Sequence, residues 1–453
     1  MSFLAKVKKK ESKIWRYIAI AAAVITVIVI AVIVVRNVNF FYKKKDTHQK
    51  IYKLSDEMNA VVSDSDMQRG YMYSRTTKLL MEDRGSEPWI LDWYVMPGTT
   101  RSVPGYQSQY IDTYNQVLLL ESYVLEGKKS AAEKLMKAID SQLFGSDGYL
   151  LEFAEVSDVC QLRNDATIYE SNDLYEDPEK LYSEENPSSY GVTTAYLRVL
   201  MDYYEKWGDE ILYTSIVKLA EKVFETPSMT CYTAADRAAK PTPYPVGQII
   251  DDPVEPEQDE EPKLISQTGI EISGVDLLAL KRASALTGEY EEEYEKLEAI
   301  VEGGFISETL PLYAWMYIGE DAYTYYAGSE PSVDLVSSLY TIVHLAEVGK
   351  MDERSYAWIK SQIYNKGFLY TQYDIFSGEE ASSVEAYEAY PLVLYLAAIK
   401  GDSELFELTY TYMMRQYATL DTSQVLYTIF RDTDDSRIAV YARENLLLEI
   451  ILR

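Results

Sequence analysis

Leu335-Val336-Ser337-Ser338-Leu339-Tyr340-Thr341-Ile342-Val343-His344-Leu345-Ala346-Glu347-Val348-Gly349-Lys350 decides the fold. Leu335, Val336, Leu339, Ile342, Val343 and Ala346 recur at helical spacing, and they predict a helix too apolar to lie on a surface. The run stops at Gly349, a residue type that accepts the left-handed backbone at a helix end, and Lys350 opens the next segment. The same ending recurs at Leu125-Glu126-Gly127-Lys128, Lys206-Trp207-Gly208-Asp209, Leu286-Thr287-Gly288-Glu289 and Ile399-Lys400-Gly401-Asp402. Each reads as a turn between antiparallel helices, apolar before the glycine and charged after it, as in Glu289 to Ala299. Inner helices closed in a ring, with outer helices facing water, give that asymmetry.

A first hairpin drawn from about Thr47 to Met81 and a last helix from about Ser436 to Leu452 bring the count to roughly six hairpins. An open helical solenoid would keep one repeat length, and here the spacing between turns varies widely. Ser382-Ser383-Val384-Glu385 has the form of a capping box at the start of an inner helix. Gly367 to Asp374, followed by Phe376-Ser377-Gly378-Glu379, predicts a short β-hairpin between helices. Residues 240–263 are proline-rich and acidic, which predicts an exposed, extended loop. The expected class is therefore all-α: an (α/α)6 toroid of six helical hairpins with short β insertions, preceded by one transmembrane helix.

That transmembrane helix is expected at residues 17–35, which contain no charged residue and match about one bilayer core in length. No small-residue cleavage site follows, so the segment reads as an uncleaved signal anchor. Lys6, Lys8, Lys9, Lys10, Lys13 and Arg16 precede it, against Arg36, Lys43, Lys44 and Lys45 after it. The bias places residues 1–16 as a cytoplasmic basic tail, 36–46 as a juxtamembrane linker and 47–453 as a domain outside the cell membrane.

The formal charge is -29 over 453 residues despite that basic start, so the domain lacks the clustered Lys and Arg that nucleic acid requires. The chain's 47% hydrophobic content supports a sizeable core. Cys160 and Cys231 are the two cysteines, and their spacing does not say whether they pair. His48 and His344 are the two histidines, which excludes a His-rich metal centre. No calcium-loop spacing appears either, and no cofactor or metal is expected.

Asn164-Asp165-Ala166-Thr167-Ile168, Tyr196-Leu197-Arg198-Val199-Leu200-Met201-Asp202-Tyr203-Tyr204-Glu205-Lys206-Trp207-Gly208-Asp209, Leu339 to Gly349 and Leu369-Tyr370-Thr371-Gln372-Tyr373-Asp374 together resemble the six-hairpin glycosidase superfamily. The resemblance is closest to glycoside hydrolase family 8 and its anchored bacterial relatives, and it spans nearly all of the chain after the anchor. It implies inverting hydrolysis of a polysaccharide by two carboxyl groups, one protonated and one ionised, about 6.5–9.5 Å apart. The sequence departs from the family where those acids belong. Gln107-Ser108-Gln109-Tyr110-Ile111-Asp112 replaces a Ser-Glu pair followed by glycine, and Asp112 is the nearest acid. Gly191-Val192-Thr193-Thr194-Ala195 replaces an Asp-Asp-Leu-Arg-like start, with Asp165 and Asp173 upstream.

The candidate catalytic residues are accordingly Asp112 or Glu87 as acid and Asp165 or Asp276 as base. Asp276 opens an apolar helix, so it reads equally as a first-turn acid favoured by the helix dipole. Trp89, Asp92 and Trp93 form with Glu87 the densest cluster of acids and indoles, suited to stacking a sugar or to packing at a rim. Tyr373 and Asp374 on the inserted hairpin are candidates for a cleft wall. The expected partner is a polysaccharide or oligosaccharide. The alternative function is a non-catalytic carbohydrate-binding or scaffold component of an exopolysaccharide synthesis or export system, with the other proteins of that system as partners.

Overall fold

The computed structural model describes residues 26, 51–62, 89–96, 106–108, 110–155, 188–225, 227–234, 242–243, 264–327, 331–420, 423, 425–432 and 438–452. Contacts divide the chain into residues 1–49 and 50–453, and the helical ring belongs to the second unit. Among the described residues no helix is long and apolar enough to cross a membrane. The expected span, residues 17–35, lies outside them apart from Thr26.

Twelve α-helices are described: α1 (Asp56–Val61), α2 (Thr113–Glu126), α3 (Lys129–Gln142), α4 (Tyr190–Trp207), α5 (Glu210–Glu225), α6 (Leu277–Thr287), α7 (Glu291–Gly303), α8 (Leu335–Glu347), α9 (Glu353–Asn365), α10 (Ala389–Lys400), α11 (Ser403–Met413) and α12 (Ala442–Ile451). The even-numbered helices form a closed ring, each packed on the next and α12 back on α2. Their burial explains the apolar sequence. In α10, Tyr390, Leu392, Val393, Leu394, Leu396 and Ala397 are all buried, leaving almost no solvent face. Helix α3, on the outside, buries only the stripe Ala132, Leu135, Met136, Ala138 and Ile139.

Gly127, Gly208, Gly288, Gly349 and Gly401 all have left-handed backbone, with φ between 67° and 78°. The hairpin turns predicted from sequence are therefore formed as the sequence spells them. The expected first hairpin, Thr47 to Met81, lies largely outside the described residues. Of its residues only 51–62 are described, and α1 packs against the outer helix α11, while Tyr52 donates a 3.0 Å hydrogen bond to the Ile451 carbonyl. The two ends of the unit thus meet, while the ring itself closes between α12 and α2.

Because each glycine turn joins an inner helix end to an outer helix start, the longer connections fall at the opposite rim. Short antiparallel strands occupy them. Residues 110–112 pair with 153–155, and 150–151 with 188–189. A five-stranded sheet runs in the order 229–234, 264–271, 316–319, 322–324, 242–243. Residues 242–243, inside the proline-rich loop, are thus a sheet edge, and the rest of that loop lies outside the described residues. Residues 372–374 extend a sheet made with 326–327 and 331–334.

The capping-box expectation is corrected. Helix α10 begins at Ala389 after Glu388, and Ser382 instead accepts hydrogen bonds from the Val384 N–H and the Thr371 hydroxyl. A serine and a glutamate three apart form a box only when a helix starts between them, and here the chain is still in the loop.

Candidate active site

All six inner helices present their N-terminal ends to one cleft of about 500 Å³. The residue at or beside each helix start lines it: Asp112 before α2, Ser189 before α4, Asp276 before α6, Asp334 before α8, Glu388 before α10 and Arg443 in the first turn of α12. Free N–H groups at a helix start favour an acceptor, which is why so many of these positions are acidic. Asp112 Oδ1 accepts from the Asn115 N–H at 3.0 Å, Asp276 Oδ1 from Ala279 at 2.8 Å and Asp334 Oδ1 from Ser337 at 2.8 Å.

Two arginines organise the rest. Arg443 pairs with Asp112, reaches Glu388 at 3.5 Å, and lies 5.1 Å over the Tyr114 ring. Tyr340 donates to the same Glu388 at 2.8 Å. Deeper in the ring, Arg198 pairs through Nε with Asp276 at 3.0 Å and through Nη2 with Glu347, to which Tyr395 also donates at 2.6 Å. Burial would raise the Glu347 carboxyl, but Arg198 and His344 outweigh it and hold the group below its ordinary range. Asp276, His344 and Glu347 converge closely enough to suggest metal ligands. The Arg198 guanidinium already sits between the two carboxylates, so the cluster is a neutralised ion-pair network and does not fit a cation.

Three other carboxyls in the cleft are poorly neutralised. Glu152 reaches the cleft water, yet surrounding protein desolvates it, and with Glu271 and Asp112 nearby its pKa is pushed up to about 8. Burial also lifts Glu121, on α2, to about 7, with Asp202, Glu347 and Asp276 adding to the shift against Arg198. Glu271 is raised by burial and by Asp334, in spite of a 3.1 Å hydrogen bond from the Trp315 indole. The cleft therefore holds carboxyl groups in two protonation states at neutral pH, the arrangement that acid–base chemistry needs.

Of the residues singled out from sequence, Asp112 and Asp276 meet in this cleft. Glu87, Asp165 and Cys160 lie outside the described residues, as does the side chain of Cys231. Asp92 stands behind the cleft, accepting from the Asn115 side chain at 2.7 Å, and burial together with the Asp112 charge raises its pKa. Trp93 is half-buried on a strand paired with residues 439–441 and does not line the cleft.

Three of the proposed binding residues are corrected. Trp89 is fully buried, with no ring face open to a sugar. Tyr373 is likewise fully buried against Trp358, its ring centroid 4.9 Å away. Asp374 is buried and accepts from the N–H groups of Phe376 and Ser377, which makes it a turn residue. Aromatics and acids in loops read alike whether they face a ligand or the core.

Sequence reading missed Glu121, Glu152, Glu271, Asp334, Glu388, Arg198 and Arg443. A signal existed for several. Asp334 precedes an apolar helix as Asp276 does, and Glu121 and Arg198 are charges set into otherwise apolar inner helices. Glu152 gives none, because only strand pairing brings it beside Asp112.

Similar folds are found among solved structures. An α-amylase from Clostridium perfringens shares 18% identity at a TM-score of 0.61, covering 86% of this chain and 98% of that one. A beta-1,3-1,4-glucanase from Paenibacillus sp. X4 shares 11% at 0.54, covering 86% and 91%. PssZ from Listeria monocytogenes shares 10% at 0.51, covering 84% and 93%. No protein-family model matches the sequence, and no curated protein matches it. The chain thus shares its fold, a ring of helical hairpins, with these solved structures.

Proposed function

We propose that the chain is a membrane-anchored, family 8-like glycoside hydrolase that cuts an extracellular polysaccharide with inversion. One observation carries this reading: Glu152, a carboxyl pushed up to about 8, shares a cleft with carboxylates at the starts of the inner helices. Glu152 serves as the general acid, protonated at neutral pH and giving its proton to the glycosidic oxygen as the C–O bond breaks. Asp334 serves as the base. It lines the cleft half-buried and takes a proton from the water that attacks the anomeric carbon from the opposite face. Asp112 and Asp276, each engaged through both carboxylate oxygens, position Arg443 and Arg198.

Residues 17–35 serve as the anchor, with the basic N-terminus inside the cell and the ring outside. The test is release of sugar from β-glucan, chitosan and xylan oligomers by the full chain. The wild type is expected to cleave at least one, and Glu152→Gln and Asp334→Asn to lose about 10²–10⁴-fold. Binding without release by the wild type would overturn the hydrolase and leave a carbohydrate-binding component of an exopolysaccharide system.

A further inference from the structure

The stretch Ile51 to Leu54 leads to Ser55, whose side chain accepts from the Met58 N–H at 3.2 Å and so starts α1. Met58 and Val62 are buried, and α1 holds the stretch against α11. Tyr52 thereby meets four of the six inner helices. Its phenol donates at 3.0 Å to the carbonyl of Ile451, the last residue of α12, and its ring stands edge-on to Tyr395 of α10 with centroids 5.0 Å apart. Burial, together with the charges of Glu121 on α2 and Glu347 on α8, holds the phenol above its ordinary range, so it stays a neutral donor. The inner helices begin at the cleft, whereas Glu347 and Ile451 end theirs. Tyr52 therefore sits at the far end of the ring from the cleft mouth.

Tyr395 passes the contact on. Its phenol donates to Glu347 Oε1 at 2.6 Å, the other oxygen of Glu347 accepts from Arg198, and Arg198 also holds Asp276 at 3.0 Å. Arg198 and Asp276 line the cleft, and Glu347 stands behind them. A carboxylate at the C-terminal end of a helix meets the unfavourable end of the dipole, and the Glu347 side chain is wholly buried there. It keeps its place only while both of its partners are in position. We infer that Tyr52 is a positioning residue of the cleft: packed on Tyr395 it fixes Glu347, and through Glu347 the Arg198 guanidinium and the Asp276 carboxylate. The inference rests on the hydrolase reading only where a rate is measured. The cleft is then complete only when the stretch before α1 is docked under the ring, a coupling carried by four contiguous side-chain contacts.

The experiment is hydrogen–deuterium exchange of the full chain, read over residues 340–350 and 390–400, in the wild type, Tyr52→Leu, Tyr52→Phe and Ile216→Ala. Tyr52→Leu keeps bulk but loses the aromatic edge and the hydroxyl, and it is expected to speed exchange about tenfold over both stretches. Tyr52→Phe keeps the edge on Tyr395 and restores most of the protection. Ile216→Ala, a buried position on the outer helix α5, controls for a general loss of stability. Where sugar is released, Tyr52→Leu should lower kcat/KM about tenfold, with recovery in Tyr52→Phe and no change in Ile216→Ala. Wild-type protection over both stretches in Tyr52→Leu, or a loss spread evenly over the chain, would overturn the inference. Should Tyr52→Leu not fold, Tyr395→Phe decides: it drops only the bond to Glu347 and is expected to expose residues 340–350, and unchanged protection there would overturn the inference equally. Exchange is read without substrate, so absence of cleavage by the wild type speaks only against the hydrolase.

Discussion

The guanidinium of Arg443, at the start of the last inner helix, donates to the Asp112 carboxylate at the start of α2, 331 residues earlier. The bond ties the final element of the ring to the first of the described inner helices, at the cleft end where both helices begin. Both side chains are about a quarter exposed. Replacing Arg443 by Met leaves two carboxylates, Asp112 and Glu388, facing each other without their cation. We expect a loss of about 1–3 kcal/mol in unfolding free energy, read from chemical denaturation. A loss below a few tenths would show that the pair does not hold the ring closed.

Activity should follow the proton on Glu152. With a pKa of about 8, raised by the protein that crowds the cleft around this exposed side chain and by Glu271 and Asp112, the group is a competent acid at pH 6 to 7 and is lost above about pH 8. A rate profile should therefore fall on its alkaline side near that value. An alkaline limb at the same place in Glu152→Gln would assign it to another group.

Stability should also depend on pH in an unusual direction. Glu121 and Glu152 hold protons in the folded chain up to about pH 7 and 8, whereas unfolding returns each to an ordinary glutamate near 4.5. Between those limits the folded state binds more protons than the unfolded one, so stability falls as pH rises from about 5 to 8. Glu121→Gln should flatten part of that slope in thermal melts. An unchanged slope in that variant would mean that Glu121 does not titrate in this window.

Gly191 and Gly274 meet back to back where α4 enters the cleft, and a Cβ on Gly191 would stand 2.7 Å from the Gly274 Cα. The Thr194 hydroxyl donates to the Gly274 carbonyl at 2.8 Å across the same contact. Gly191→Ala must push α4 away from the segment that carries Asp276, at a cost of about 1–3 kcal/mol. Gly288→Ala meets nothing within 4 Å and has only its left-handed backbone to strain, about 1 kcal/mol. Comparing both variants for stability and for activity should show activity lost only at Gly191. Equal effects would mean the contact does not position the site.

The ring was legible in the sequence because its determinants are local. An apolar face and the glycine that ends it, as at Leu339 to Gly349, lie within one helix and its turn. The cleft was less legible. Asp276 could be seen as an acid before an apolar helix, but Gly191 gave no hint that its role is close contact with Gly274. Glu152 depends on the pairing of residues 110–112 with 153–155, and the ion pairs of Arg198 and Arg443 on contacts from distant helices. Trp89 and Tyr373 misled for the converse reason: large aromatics serve the core as readily as a binding face, and here they are fully buried.

The most direct measurement is proton NMR of the anomeric signals as the full chain acts on β-linked oligosaccharides. The first-formed reducing end is expected to be the α-anomer, appearing before mutarotation, and to be absent with Glu152→Gln. A β-anomer first, release by Glu152→Gln at the wild-type rate, or no release by the wild type from any oligomer would contradict inverting hydrolysis in this cleft.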